Sequence, residues 1–283
     1  MEGLFFVILQ KQHDIKNYHR KYLTNKKKRT FFSTSILNRI RVNPTINTKK
    51  MEKTRGLSNA EIVKVISVDR ERTNILRKPE QMSIAFLVKY MPKWLSPNML
   101  TGIGFFGNIL TFISFILATY VNSYFLILGT LGYAINWFGD SLDGRIAYYR
   151  KKPRKWYGFA LDITIDWLGI LLMGLGFVVY VDGSWEIVGF AFVVMYGWEI
   201  ITTLLRYKIT GKYSIDSGLF GPTEIRIFLA FILAFEVVFK GSIQYIAAAA
   251  TFIMLIINII DTKKLLTLAD EFDIREKEQA NNK

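Results

Sequence analysis

The chain has 283 residues, a formal net charge of +14, two histidines and no cysteine, and 51% of its residues are hydrophobic. Without cysteine there is neither a disulfide framework nor a thiolate metal site, and His13 and His19 both lie in the polar N-terminal stretch, so a zinc site of nitrogen and sulfur ligands is excluded and a catalytic metal must be held by oxygen. The basic residues gather in the first 95 residues and in short loops, which is the pattern of lipid headgroup contact and not of a folded nucleic-acid-binding face.

Residues 1–76 lack sustained apolar periodicity and carry the run Lys26-Lys27-Lys28-Arg29, so they read as a basic, largely disordered extension. Within it, residues 31–50 are rich in Ser, Thr, Asn and Arg and poor in acids, which suits an organellar transit peptide and equally an upstream extension before Met51. The opening apolar run, Leu4 to Leu9, is too short to cross a membrane. Over residues 79–95, Ile84, Leu87, Val88, Met91 and Leu95 recur at helical spacing beside Lys89, Tyr90, Lys93 and Trp94, which predicts an interfacial helix over 77–96, kinked at Pro92.

Six segments long enough to cross a hydrocarbon core follow, at 99–121, 124–146, 159–181, 185–205, 225–239 and 243–260. The basic residues Arg150, Lys151, Lys152, Arg154 and Lys155 lie between the second and third; Arg206, Lys208 and Lys212 lie between the fourth and fifth; Lys263 and Lys264 follow the sixth. The other ends show only tight turns around Asn122, Gly183 and Gly241, so the positive-inside rule places both termini and the basic loops on the cytoplasmic side, or the equivalent face of an organelle membrane. The predicted fold is an all-α, multi-pass integral membrane protein: an interfacial amphipathic helix, a six-helix catalytic domain over 97–264 and a polar tail over 265–283.

Asp140, Asp143, Asp162 and Asp166 fall at the cytoplasmic ends of the second and third spans. Spacings of three and four place each pair on one face of its helix, and the short intervening loop makes the helices antiparallel neighbours whose acidic faces meet. No Lys or Arg lies between these acids on the same faces, so the cluster needs divalent cations to hold its charge together. An all-oxygen set with room for phosphate suits Mg²⁺ or Mn²⁺, with two ions accommodated.

Read as a string, the window is Asp140-x-x-Asp143-Gly144-x-x-Ala147, then Gly158-x-x-x-Asp162-x-x-x-Asp166. It closely resembles the signature of the CDP-alcohol phosphotransferase (CDP-alcohol phosphatidyltransferase) family of phospholipid synthesis, and the resemblance extends over about 83–264. Ser96-Pro97-Asn98-x-x-Thr101 is similar to a Pro-Asn-x-x-Thr motif of that family. Two departures stand out: Tyr148 occupies the place of a family arginine that helps hold the nucleotide diphosphate, and the loop to Gly158 is one residue longer. Arg145, Arg150 and Arg154 are the candidates to replace that charge.

The resemblance implies that Asp140, Asp143 and Asp162 bind metal, and that Asp166 acts as general base and also touches metal. It further implies that Asn98, Thr101, Gly144, Ala147 and Gly158 form the nucleotide site. The substrates would be a CDP-linked donor and an acceptor alcohol or alcohol phosphate, with CMP released; membrane lipids are partners, nucleic acid is not, and a homodimer is compatible. Gly144 and Gly158 equally suit close packing of two helices. Arg206 and Arg226 lie where the resemblance places an acceptor pocket, although pairing with Glu199 and Glu224 explains them as well.

Two other classes compete. A membrane prenyltransferase also pairs aspartates around Mg²⁺ and diphosphate, but its acidic motifs lie far apart in sequence and here they share one hairpin. A cation or proton transporter predicts carboxylates near the bilayer midplane and broken helices, whereas these acids adjoin a basic loop.

Overall fold

A computed structural model describes residues 58–66, 75–211 and 221–281. The readings of residues 1–57 and of Lys212 lie outside them. Among the described residues the chain is helical throughout, as the span pattern predicts. A short helix α1 (Asn59–Ile66) and an amphipathic helix α2 (Arg77–Tyr90) precede six longer ones: α3 (Pro97–Tyr120), α4 (Leu126–Tyr149), α5 (Lys155–Tyr180), α6 (Glu186–Thr210), α7 (Pro222–Val238) and α8 (Ser242–Asn281).

Pairwise packing closes the six into a ring, α3 against α4, α4 against α7, α7 against α8, α8 against α6, α6 against α5, and α5 back against α3. The tightest seam joins α3 and α4, where glycines bring backbone onto backbone. A Cβ added at Gly139 would sit 2.3 Å from the Gly104 nitrogen, and one at Gly107 would sit 2.4 Å from the Gly132 carbonyl oxygen. Asn258, itself 1% exposed, donates to the Met195 carbonyl at 2.8 Å, and the Trp198 indole donates to Thr262 at 3.0 Å, so α6 and α8 are tied by satisfied polar contacts.

Four of the six, α3, α5, α6 with its preceding turn, and α8, are long and apolar enough to cross a membrane. The other two fall short of that measure for physical reasons: α4 carries Asp140, Asp143 and Arg145 in its last turns, and α7 has 17 residues and includes Glu224, Arg226 and Glu236. Large apolar side chains face outward around the ring, among them Phe190, Phe231, Phe252 and Ile253, a surface suited to lipid and not to water. The chain is an integral membrane protein.

At the end carrying the basic loops, α1 and α2 cover one flank of the ring. Ile62, Ile66, Ile84, Ala85 and Val88 join Leu100, Leu142 and Ile146 in one buried cluster. Residues 59–66, where the sequence predicts part of a disordered extension, form a helix instead, because Ser58 and Glu61 build a capping box and Ile62 and Ile66 find this core. The Glu61 carboxyl, accepting from the Ser58 amide and hydroxyl, is held below its ordinary range. The stripe that the sequence assigns to the membrane, Ile84, Leu87, Val88, Met91 and Leu95, packs into this core instead, because α3 and α4 offer it an apolar surface; the exposed apolar side chains of α2 are Met82, Phe86 and Tyr90 on its opposite face. The predicted kink at Pro92 is not formed. The helix stops at Tyr90 with Met91 extended, because the residue next to a proline disfavours helical geometry. Glu80 accepts from Thr223 at 2.9 Å and Glu224 accepts from the Leu76 amide at 2.8 Å, so α2 is fastened to the start of α7.

Candidate active site

Four helix ends converge beside this flank: the start of α3, the end of α4, and the starts of α5 and α7. Ser96 accepts from the Met99 amide and Pro97 opens α3, a capped start that fixes Asn98 and Thr101 at its first turns. The end of α4 is closed by a Schellman turn: Lys152 donates to the Ala147 carbonyl, Lys151 donates to the Tyr148 carbonyl, and Lys151 takes a positive φ of 56°. That tight reversal, with Arg154 as the cap of α5, sets α5 antiparallel to α4.

Along α5, Arg154, Gly158, Asp162 and Asp166 follow at intervals of four, a single stripe running into the bundle. Along α4, Asp140 and Asp143 face it. Asp140, Asp162 and Asp166 meet: one carboxylate oxygen from each lies within 4.8 Å of the others, and all three side chains are half-buried. Asp143 is turned differently. Its Oδ2 accepts from the Thr101 hydroxyl at 2.6 Å and its Oδ1 from the Gly144 amide, which joins the α3 motif to the α4 motif.

The cluster does not stand without positive charge. Arg226, on the first turn of α7, donates to Asp140 Oδ2 at 2.5 Å, with 16% of its side chain exposed, and also interacts electrostatically with Asp166. The spacing on α4 and α5 could not show this cation, since it comes from α7, 86 residues from Asp140 in sequence. One guanidinium against three carboxylates still leaves a negative site of hard oxygen donors. That donor set fits a divalent cation of the Mg²⁺ or Mn²⁺ kind, and Asp140, Asp162 and Asp166 are the residues that could hold it.

Gly158 is fully open: a Cβ there would meet nothing within 4 Å, so helix packing does not account for its glycine. At the mouth of the stripe, Asn98 donates to the Tyr157 hydroxyl at 3.2 Å and accepts from Arg154 at 2.5 Å, and the Arg154 guanidinium lies 4.1 Å from the centre of the Tyr157 ring. Tyr157 escaped the sequence reading; its only signal there was adjacency to Gly158.

Of the three arginines available to replace the charge absent at Tyr148, two are committed elsewhere. Arg145 is 3% exposed and donates to the Ile66 carbonyl, closing the end of α1. Arg150 donates to the Leu95 carbonyl at 2.6 Å and the Pro92 carbonyl at 2.7 Å, and partial burial lowers its pKa from the ordinary arginine value. Arg154 alone of the three is exposed at the mouth of the site. Arg206 lies 3.7 Å from Asp261, which also meets Lys264 at 3.6 Å, so its partner is the end of the sixth span and not Glu199 alone.

The chain was compared with known proteins. Residues 94–260, more than half of it, match the family model described as CDP-alcohol phosphatidyltransferase. A search of curated proteins found no match.

Proposed function

The chain belongs to the CDP-alcohol phosphatidyltransferase family, hence is a membrane transferase of phospholipid synthesis, and from that premise we propose that it moves a substituted phosphate group from a CDP-linked donor to an acceptor alcohol and releases CMP. The observation that carries this reading is the meeting of Asp140, Asp162 and Asp166 beside an open Gly158. Divalent ions in that cluster would neutralise the donor's diphosphate and polarise the phosphorus under attack.

Around them the protein's own groups divide the work. Asp140 and Asp162, with the adjoining Asp166, would supply the ligand oxygens at the cluster, and Asp143 would add its own from the Thr101 side. Thr101 orients Asp143, and Arg226 offsets part of the repulsion at Asp140 while keeping it in place. Gly158 leaves room for the diphosphate against the backbone, and Asn98, Thr101, Gly144 and Ala147 line the nucleotide's approach. Asp166 takes the proton of the acceptor hydroxyl as its oxygen bonds to the phosphorus distal to cytidine; the bond from that phosphorus to the bridging oxygen breaks, and CMP leaves with the electron pair. The reaction asks mainly for positioning and charge neutralisation, which the four converging helix ends supply.

We place the site on the cytoplasmic face because Arg150, Lys151, Lys152, Arg154 and Lys155 adjoin it, in keeping with the positive-inside rule. An acceptor that carries phosphate would find Arg226 at the cluster; Arg206, paired with Asp261, is the weaker candidate. The test is CMP release by purified protein, with several CDP-linked donors against a panel of alcohols and alcohol phosphates. Release that depends on both donor and acceptor supports the proposal, and none with any pair overturns it.

A further inference from the structure

Asn98, Arg154 and Tyr157 form a closed trio at the mouth of the site, joined by two hydrogen bonds and a cation–π contact, although all three side chains are exposed. Exposed side chains gain little from holding one another, so a group of three with fixed geometry at this position calls for a role. Position supplies one. Arg154 lies eight residues before Asp162 on the same stripe, about 12 Å along the helix axis, and Gly158 lies halfway between with open space where a side chain would be. Asn98 sits one turn outward of Thr101, which holds Asp143. A ligand whose diphosphate meets the aspartates and passes Gly158 would therefore bring its nucleoside end to Arg154 and Tyr157.

The chemistry of the pair suits that end. A tyrosine ring offers a flat face for a pyrimidine, and its face is now occupied by a planar guanidinium at 4.1 Å. We propose that Arg154 and Tyr157 form the clamp for the donor's nucleoside: the base stacks on the Tyr157 ring where the guanidinium now lies, and Arg154 swings aside to hydrogen-bond the nucleoside's polar edge. Asn98 keeps the two together until the donor arrives. This inference rests on the reading of the donor as CDP-linked.

The experiment measures binding of CDP and of inorganic pyrophosphate to the full chain, purified in detergent with Mn²⁺ present, by calorimetry. Tyr157→Ala should weaken CDP binding on the order of tenfold and leave pyrophosphate and Mn²⁺ affinities unchanged, and Arg154→Ala should weaken CDP binding at least as much and weaken pyrophosphate binding clearly less. Tyr157→Phe keeps the ring and should retain most CDP affinity, whereas Arg154→Lys, which lacks the planar fork, should restore only part. Unchanged CDP affinity in both alanine variants overturns the clamp, as does an equal loss for pyrophosphate. If the unaltered protein binds Mn²⁺ but not CDP, the donor reading itself fails and the clamp with it.

Discussion

Replacing Gly158 with alanine separates the two explanations of that glycine, because they predict effects of opposite sign. The added Cβ would meet no atom within 4 Å, so the fold has nothing to accommodate. Gly158 lies in the first turn of α5, and the gain in helix propensity should stabilise the protein by about 0.5–1 kcal/mol, a rise in Tm of about 1–4 °C. If the diphosphate approaches the backbone there, the methyl group intrudes on it at about 1–3 kcal/mol, which raises the donor KM about 5- to 150-fold. Gly139→Ala is the control: its Cβ would fall 2.3 Å from the Gly104 nitrogen and 2.4 Å from the Leu100 carbonyl oxygen, so α3 and α4 must part and Tm must fall. The assay pairs thermal unfolding in detergent with donor saturation kinetics. An unchanged donor KM in a stable Gly158→Ala protein would refute the argument that the open space belongs to the substrate.

Four further outcomes follow from the same geometry. Excess EDTA should abolish turnover and added Mg²⁺ or Mn²⁺ restore it; full turnover under chelation would remove the metal from the mechanism. Asp166→Asn should lower the single-turnover rate by about a hundredfold or more while costing less Mn²⁺ affinity than Asp162→Asn, and the reverse order of metal loss would assign Asp166 to ligation instead of proton transfer. A chain beginning at Ser58 should keep its activity in detergent, whereas Ile66→Ala within it should lower Tm, at a cost of up to about 2–5 kcal/mol, because Ile66 is 3% exposed in the core shared with α4; equal Tm values would mean that α1 does not contribute to the catalytic unit. Lys151→Gly should raise Tm by relieving about 1–2 kcal/mol of left-handed backbone strain at φ 56°, and a fall would show that the lysine side chain is needed for the turn.

The sequence alone determined those features whose information is local. Runs of apolar residues marked the six long helices and their turns, four of them apolar enough to cross a membrane, since a helix that faces lipid must be largely apolar. Spacings of three and four set Asp140 and Asp143 on α4 and Asp162 and Asp166 on α5, but the short loop did not make the two helices packed neighbours: each packs chiefly against α3, and their acids meet across it while Asp143 turns to Thr101. Tertiary structure decided everything that depends on meetings between distant segments. It brought Arg226 to Asp140 and Thr101 to Asp143, and it committed Arg145 and Arg150 to backbone carbonyls. It also turned residues 59–66 from an apparent tail into a packed helix, because Ile62 and Ile66 have too little apolar company in sequence to predict a core and find it only on α2 and α4. Gly158 shows the division most plainly: its sequence position allowed either close packing or an open approach, and only the empty space around its Cα distinguishes them.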